Sequence, residues 1–164
     1  MVVNNPIVSI NLDDTGLPPP TPEVEQERRL AIFDLLENNT FSLVSTSLNK
    51  NKSDGPFALL VAVKGTRLVL SLSDPKSGNF FFEFYLSLNP LYKTIKDYFD
   101  ICDSYFDAVK RLPPGKIESI DMARRAIHDR GGEIVLERLA GKILTDLPTS
   151  RRLFTLICSL YFRD

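Results

Sequence analysis

The side chains of this chain that could do chemistry gather in its last third, and most of them are arginines. Arg124-Arg125 and Arg151-Arg152 form two adjacent pairs. Arg130 and Arg138 lie between them, as does His128, the single histidine of the 164 residues. Planar guanidinium groups grip phosphate and carboxylate bidentately, so this set is suited to holding an anion. The second pair follows Thr149-Ser150, whose hydroxyls suit a helix start. A helix start exposes N–H donors and a partial positive charge, which favours carboxylates there and disfavours guanidinium groups. Arg151 and Arg152 therefore need compensation, either a carboxylate (Asp121, Asp146 or Glu133) or a bound anion. The expectation is that Thr149 caps this helix by accepting from the N–H of Arg151 or Arg152. Arg124, Arg125, Arg138, Thr149, Arg151 and Arg152 are the anion-binding candidates.

Each candidate has a plainer use. Asp121, Asp129, Glu133 and Glu137 are interleaved with the arginines and can pair with them along a helix surface. His128, with a free pKa near neutrality, can serve as acid or base with Asp129 or Glu133 as its carboxylate. It can equally be a cation closing a helix end. No G-x-x-x-x-G-K-[ST], G-x-G-x-x-G, G-x-S-x-G or H-E-x-x-H occurs. One histidine and two separated cysteines leave no zinc site, so neither a metal nor a cofactor is expected.

Charge is uneven along the chain. Residues 1–109 hold 9 Lys+Arg and 14 Asp+Glu, residues 110–164 hold 11 and 7, and the total is −1. The mildly basic end permits an anionic small molecule or a protein partner, and it falls short of what a nucleic-acid binder carries. Cys102 and Cys158 fall among apolar residues and read as small core hydrophobes. The N-terminus has no basic and apolar signal pattern, and the longest tempting apolar run is far too short to span a membrane. A cytoplasmic location is expected. Asn38-Asn39-Thr40 and Asn51-Lys52-Ser53 match the glycosylation pattern by chance.

The elements that must position these residues imply one α+β domain over 1–164, with 1–20 a strand and a proline-rich connector. Val8, Ile10 and Leu12 alternate as a first strand, and Pro18-Pro19-Pro20 makes a stiff extended connector. Thr21 caps a helix over 21–38, with Pro22 first and Val24, Leu30, Ile32, Leu35 and Leu36 buried. Residues 40–88 read as sheet, with runs at 41–47, 57–64, 67–73 and 80–88 separated by 48–56, Gly65-Thr66 and 74–79. The short turns imply an antiparallel meander of four to five strands. Leu68, Leu70 and Leu72 share one face with Phe80, Phe82, Phe84, Leu86 and Leu88. Phe81 and Tyr85 lie on the other face and suggest an interface, hence a homodimer.

Residues 89–164 form the helical half, packed on one sheet face. Asn89-Pro90 opens a helix to about Arg111, with Leu91, Ile95, Tyr98, Phe99, Cys102, Tyr105, Phe106 and Val109 along one side. Tyr92, Tyr98, Phe99, Tyr105 and Phe106 at this spacing read as core, not as a base-stacking stripe. Ser119 or a neighbour caps the next helix, which carries Ile120, Ala123 and Ile127. Gly131-Gly132 either ends it or allows close packing within a longer one. Residues 142–146 suggest a short extended piece before the last, very apolar helix.

The run IESIDMARRAIHDRGGEIVLERLAGKI, the TSRRLFTLICSLYF that follows it, and LSLNPLYKTIKDYFDICDSYFDAVK resemble an alphaproteobacterial family of unknown function, numbered 0262 in the uncharacterised-family series. The resemblance is close from Leu86 onward and loose over the sheet. It implies a small bacterial cytosolic protein and carries over no catalytic residue. Two function classes follow. One is a non-enzymatic binding or regulatory module whose basic helices take an anionic ligand or a protein partner. The other is an enzyme acting on a phosphorylated small molecule, with His128 as acid/base.

Overall fold

The structure, a computed structural model, describes residues 5–44 and 55–161. Strand β1 (Ile7–Asp13) is followed by helix α1 (Pro22–Glu37), β2 (Phe41–Leu43), β3 (Phe57–Lys64), β4 (Arg67–Ser73) and β5 (Phe80–Ser87). A 3₁₀ turn (Asn89–Leu91) then leads into α2 (Tyr92–Arg111), α3 (Pro114–Leu139), β6 (Ile143–Thr145) and α4 (Leu147–Ser159). The fold is α+β, a sheet followed by a helical half. Positions 45–54, which hold the end of the 41–47 run, most of the separator after it and the second glycosylation match, lie outside the described residues.

The 57–88 stretch forms the expected antiparallel meander, Val61 opposite Leu70 and Leu70 opposite Phe84. Two strands depart from it. β1 joins the far edge of β3 in parallel, giving the order β1-β3-β4-β5. The α1 crossover makes this geometry reachable, since parallel neighbours cannot be joined by a tight turn. β2 leaves the sheet and pairs with β6 in a separate antiparallel ribbon, Phe41 opposite Thr145. A three-residue strand carries too little pattern to reveal its partner.

The inner sheet face (Leu59, Val61, Leu68, Leu70, Leu72, Phe84, Leu86) shares one core with Ile134, Val135, Leu139, Leu153, Phe154 and Ile157 of the helices. Phe80 does not join it and is 64% exposed, because the register shifts at Leu72/Ser73. Phe81 and Tyr85 do not form an exposed pair. The Phe81 ring stacks edge-on to the buried Phe57, 6.2 Å between centroids. Tyr85 sits in a polar ladder, its hydroxyl donating to Glu83 at 2.9 Å and its ring under the Arg67 guanidinium at 4.8 Å.

Helix α1 starts as expected, with the Thr21 hydroxyl accepting from Val24 N. Its buried stripe is Arg28, Ala31 and Leu35, while Leu30 is 53% exposed and Val24 half-buried. Arg28 Nε donates 2.9 Å to the Ser159 carbonyl at the end of α4, where a cation suits the helix dipole. A charged residue on the core face hides the stripe from hydropathy. Asn39 closes the joint after α1: its side chain accepts from Ile7 N and donates to Ile7 O and Leu35 O, serving β1 as a short strand would.

α2 and α3 form a helical hairpin, and the buried residues of α3 all lie at or beyond Gly131. Ile120 and Ile127 are therefore only half-buried and Ala123 exposed, and Phe106 of α2, expected in the core, is exposed together with Val109. α3 begins at Pro114 with no side-chain cap, and Ser119 lies inside it, donating to the Gly115 carbonyl. α3 runs unbroken for 26 residues through Gly131-Gly132. A Cβ on Gly131 would come within 2.5 Å of the Phe154 ring, and one on Gly132 within 2.5 Å of Arg151 Cγ and 3.1 Å of Arg151 Cα. The pair therefore lets α3 and α4 touch backbone to side chain.

Gly131→Ala is expected to lower stability by roughly 1–3 kcal/mol, because the fully buried Phe154 ring has no room to retreat. Gly115→Ala, with nothing within 4 Å of the added methyl, should be neutral or stabilising by up to ~1 kcal/mol. Urea unfolding of the two variants checks this, and equal effects would refute the packing role of Gly131.

Candidate functional site

The close crossing of α3 on α4 decides which side chains meet. One to two turns before the glycines, Arg124, Arg125, His128 and Asp129 emerge from α3. Across the crossing, Arg151 emerges from α4, and Tyr98 of α2 completes the wall. These six residues line an open cleft of about 530 Å³, within the range of small-molecule sites.

The histidine is held firmly. His128 Nε2 lies 2.6 Å from Thr155 Oγ1, and that hydroxyl donates onward to the Arg151 carbonyl at 3.2 Å. Both contacts are satisfied when Nε2 carries the proton, which leaves Nδ1 as the acceptor of the neutral ring. Tyr98 and Phe154 flank the ring at 5.4 and 5.7 Å. Burial among these rings pushes the His128 pKa below its ordinary value. The Asp129 charge opposes this, and the Arg151 and Arg124 charges reinforce it. Burial likewise raises the Tyr98 phenol, keeping it neutral.

The arginines are positioned by two carboxylates of α3. Arg124 and Arg125 both pair with Asp121, the second at 2.9 Å. The Arg124 guanidinium also lies 4.0 Å over the Tyr105 ring. Arg151 pairs with Asp129 at 2.9 Å. Three guanidinium groups thus share two carboxylates, leaving the cleft one positive charge in excess with His128 neutral. Arg125 is the most solvent-exposed of the three, its side chain 76% accessible.

The other predicted residues lie elsewhere. Glu133 is exposed and pairs with Arg130 at 3.4 Å, so it does not reach His128. Arg138 is exposed near the end of α3, outside the cleft. Thr149 does not cap α4: Asp146 does, accepting from Thr149 N at 2.8 Å, while the buried Thr149 hydroxyl accepts from Thr40 N at 2.9 Å. With Leu147 and Pro148 in the first turn, Arg151 and Arg152 sit in the second, beyond the strongest part of the dipole. Arg151 turns back to Asp129 and not to the expected Asp121, Asp146 or Glu133, whereas the Arg152 charge does act on Asp146. Burial pushes the Asp146 carboxyl up, but hydrogen bonds from Thr149 and Thr40 and the Arg152 charge outweigh it and hold the pKa low. Tyr98 and Thr155 were missed, and no signal distinguishes them. Tyr98 fits a core stripe, and Thr155 is one polar position in an apolar helix.

With this geometry described, comparison with known proteins gives one consistent answer. Residues 4–163 match the model of the Uncharacterised protein family (UPF0262). A UPF0262 protein of Dinoroseobacter shibae is 55% identical over 95% of this chain and 97% of its own length. Those of Paracoccus denitrificans and Roseobacter denitrificans are 54% and 53% identical, each over 95% of this chain and 95% and 97% of their own. The chain belongs to this family, whose function is unknown. No solved structure matches it. Among the described residues no helix is long and apolar enough to cross a membrane, and no cluster of side chains is suited to a metal.

Two outcomes follow from the electrostatics. Asp121→Asn strands Arg124 and Arg125 beside each other, and should cost about 1–3 kcal/mol in denaturant unfolding because the Asp121 and Arg124 side chains are only 18% and 28% exposed. Arg125→Gln should stay within ~0.5 kcal/mol of the parent. The depressed His128 pKa means that the unfolded chain binds this proton more readily than the fold does. Its contribution is therefore complete above the unfolded pKa of about 6.5 and is lost as pH falls below it. The parent should lose stability between neutral and mildly acidic pH more steeply than His128→Gln, and parallel profiles would exclude this coupling.

Proposed function

We propose that this chain is a cytoplasmic, non-enzymatic binding module that takes an anionic ligand in the cleft between α2, α3 and α4. One observation carries the reading: three guanidinium groups from two helices converge on one concave space and exceed the carboxylates there by one charge. The ion pairs already hold Arg124 and Arg151 in place, so little side-chain freedom remains to be lost when an anion arrives. Arg125, exposed at the mouth and sharing Asp121 with Arg124, is the donor with the most room to turn onto it. Neutral His128 presents Nδ1 as an acceptor, which suits a ligand that brings a proton of its own, such as a monohydrogen phosphate.

A second reading, in which His128 is acid/base for a phosphorylated small molecule, draws on its place in the same cleft beside the arginines. It is weaker because the ring nitrogen meets a threonine hydroxyl and the expected Glu133 is engaged with Arg130.

Thermal denaturation with increasing orthophosphate tests the module reading. A ligand that binds only the fold stabilises it, by about 2.7 kcal/mol at one hundred times its Kd. The parent should rise in Tm with phosphate. Arg125→Gln/Arg151→Gln should weaken the response tenfold or more, since a charge-assisted hydrogen bond contributes roughly 1.5–3 kcal/mol. Arg138→Gln removes the same charge outside the cleft and should respond like the parent. A parent that ignores phosphate, or an Arg138→Gln variant as impaired as the double variant, would defeat the reading.

A further inference from the structure

The basic cleft does not stand alone. A second, smaller space of about 240 Å³ opens between α1, α2 and α4, and Tyr98 and Arg124 line both. Its walls are mainly apolar: Leu30 and Ala31 of α1, Phe99 and Phe106 of α2, and Cys158 of α4. Thr155, the partner of His128, lines it as well. Arg124 therefore stands at a boundary, with guanidinium groups on one side and hydrocarbon on the other. The trough alone is smaller than the roughly 300–1,000 Å³ usual for a ligand site, so it is sized for part of a molecule.

We propose that the ligand of this site is a soluble amphipathic anion, one phosphate or carboxylate head carrying a short alkyl or aryl tail. The head takes the Arg124, Arg125 and Arg151 side and the tail lies in the trough. This deepens the anion-binding reading and rests on it. The charge pattern selects the orientation. Glu27 and Asp34 of α1 also line the trough and repel a second anionic group, so the tail must be neutral. Leu30 and Phe106 at the trough mouth are 53% and 59% exposed, apolar surface that a tail would cover. An inorganic anion leaves that surface wet, and a neutral hydrocarbon leaves the guanidinium groups unused.

The test compares three probes by calorimetric titration of the full chain: octyl phosphate below its micelle concentration, inorganic phosphate, and octyl glucoside. Each fully buried methylene is worth about fourfold in affinity, so octyl phosphate is expected to bind at least tenfold more tightly than inorganic phosphate, and octyl glucoside weakly or not at all. Leu30→Asp and Phe106→Asp change exposed positions and should erase most of the octyl advantage while leaving inorganic phosphate binding in place. Equal affinity for octyl and inorganic phosphate overturns the amphiphile and leaves the anion site standing. Octyl glucoside binding as well as octyl phosphate overturns it in favour of a merely apolar surface. Failure of both phosphates removes the anion site and the amphiphile together. Sedimentation with phosphatidylglycerol vesicles, but not with phosphatidylcholine vesicles, assigns the head group to a membrane surface and overturns a soluble ligand.

Discussion

Everything in the helical half depends on the absence of two side chains. Gly131 and Gly132 let α3 press against α4 so closely that a methyl on either would collide with Phe154 or Arg151. Glycine inside a helix costs roughly 0.5–1 kcal/mol relative to alanine, and two in succession on a 26-residue helix are tolerated only because the crossing returns more in packing. The same contact places the Arg151 backbone against α3. Its guanidinium then needs to reach back less than one turn to Asp129, and Thr155, one turn further on, meets His128. The cleft follows from this backbone approach, and no loop builds it.

How much of this was legible in the sequence differs by the range of the interaction. Signals confined to one element were readable: the Thr21 cap, the Pro22 start, the meander over 57–88, and the break at Leu112-Pro113. The arginine cluster with His128 was readable too, because four of its members fall within one or two turns of a helix or on adjacent positions. Which of those arginines would meet depended on the α3–α4 crossing, and the glycine pair hinted at that crossing without choosing between a helix end and a close contact. Signals set by distant partners were not readable. Nothing near Phe41 announces Ile143–Thr145 as its neighbour, and nothing in β1 says that it runs parallel to β3. The start of α4 shows competition between two plausible caps. Thr149 has the right chemistry, but Asp146 stands at the position that leaves Pro148 in the first turn, where its missing N–H costs nothing. Thr149 was then free to be used by Thr40 from a segment more than a hundred residues earlier.

That displacement of the cap by three residues alters the electrostatic meaning of Arg151-Arg152. In the first turn they would oppose the dipole and demand an anion. In the second turn they are nearly indifferent to it, and Asp146 at the cap already supplies the favourable charge. The argument for an anion moves from the helix end to the groove between helices. It rests there on the ratio of three guanidinium groups to two carboxylates and no longer on a single helix terminus.

The buried Arg28 shows the opposite use of the same residue type. Its Nε binds the Ser159 carbonyl at the end of α4 and its stem packs in the α1 stripe, so the charge serves to fasten α1 to α4. α1 in turn walls the apolar trough with Ala31 of that stripe and with the exposed Leu30 beside it. Arg124 is half-buried as well, but it lies against an aromatic face and a shared carboxylate at the edge of open space. A guanidinium committed to a backbone carbonyl inside the core is structural. One whose carboxylate is divided between two arginines retains unspent attraction for an anion. The distinction between scaffold and site in this chain is therefore set by what each guanidinium faces, packed helices for Arg28 and open space for Arg124, and the residue type alone does not reveal it.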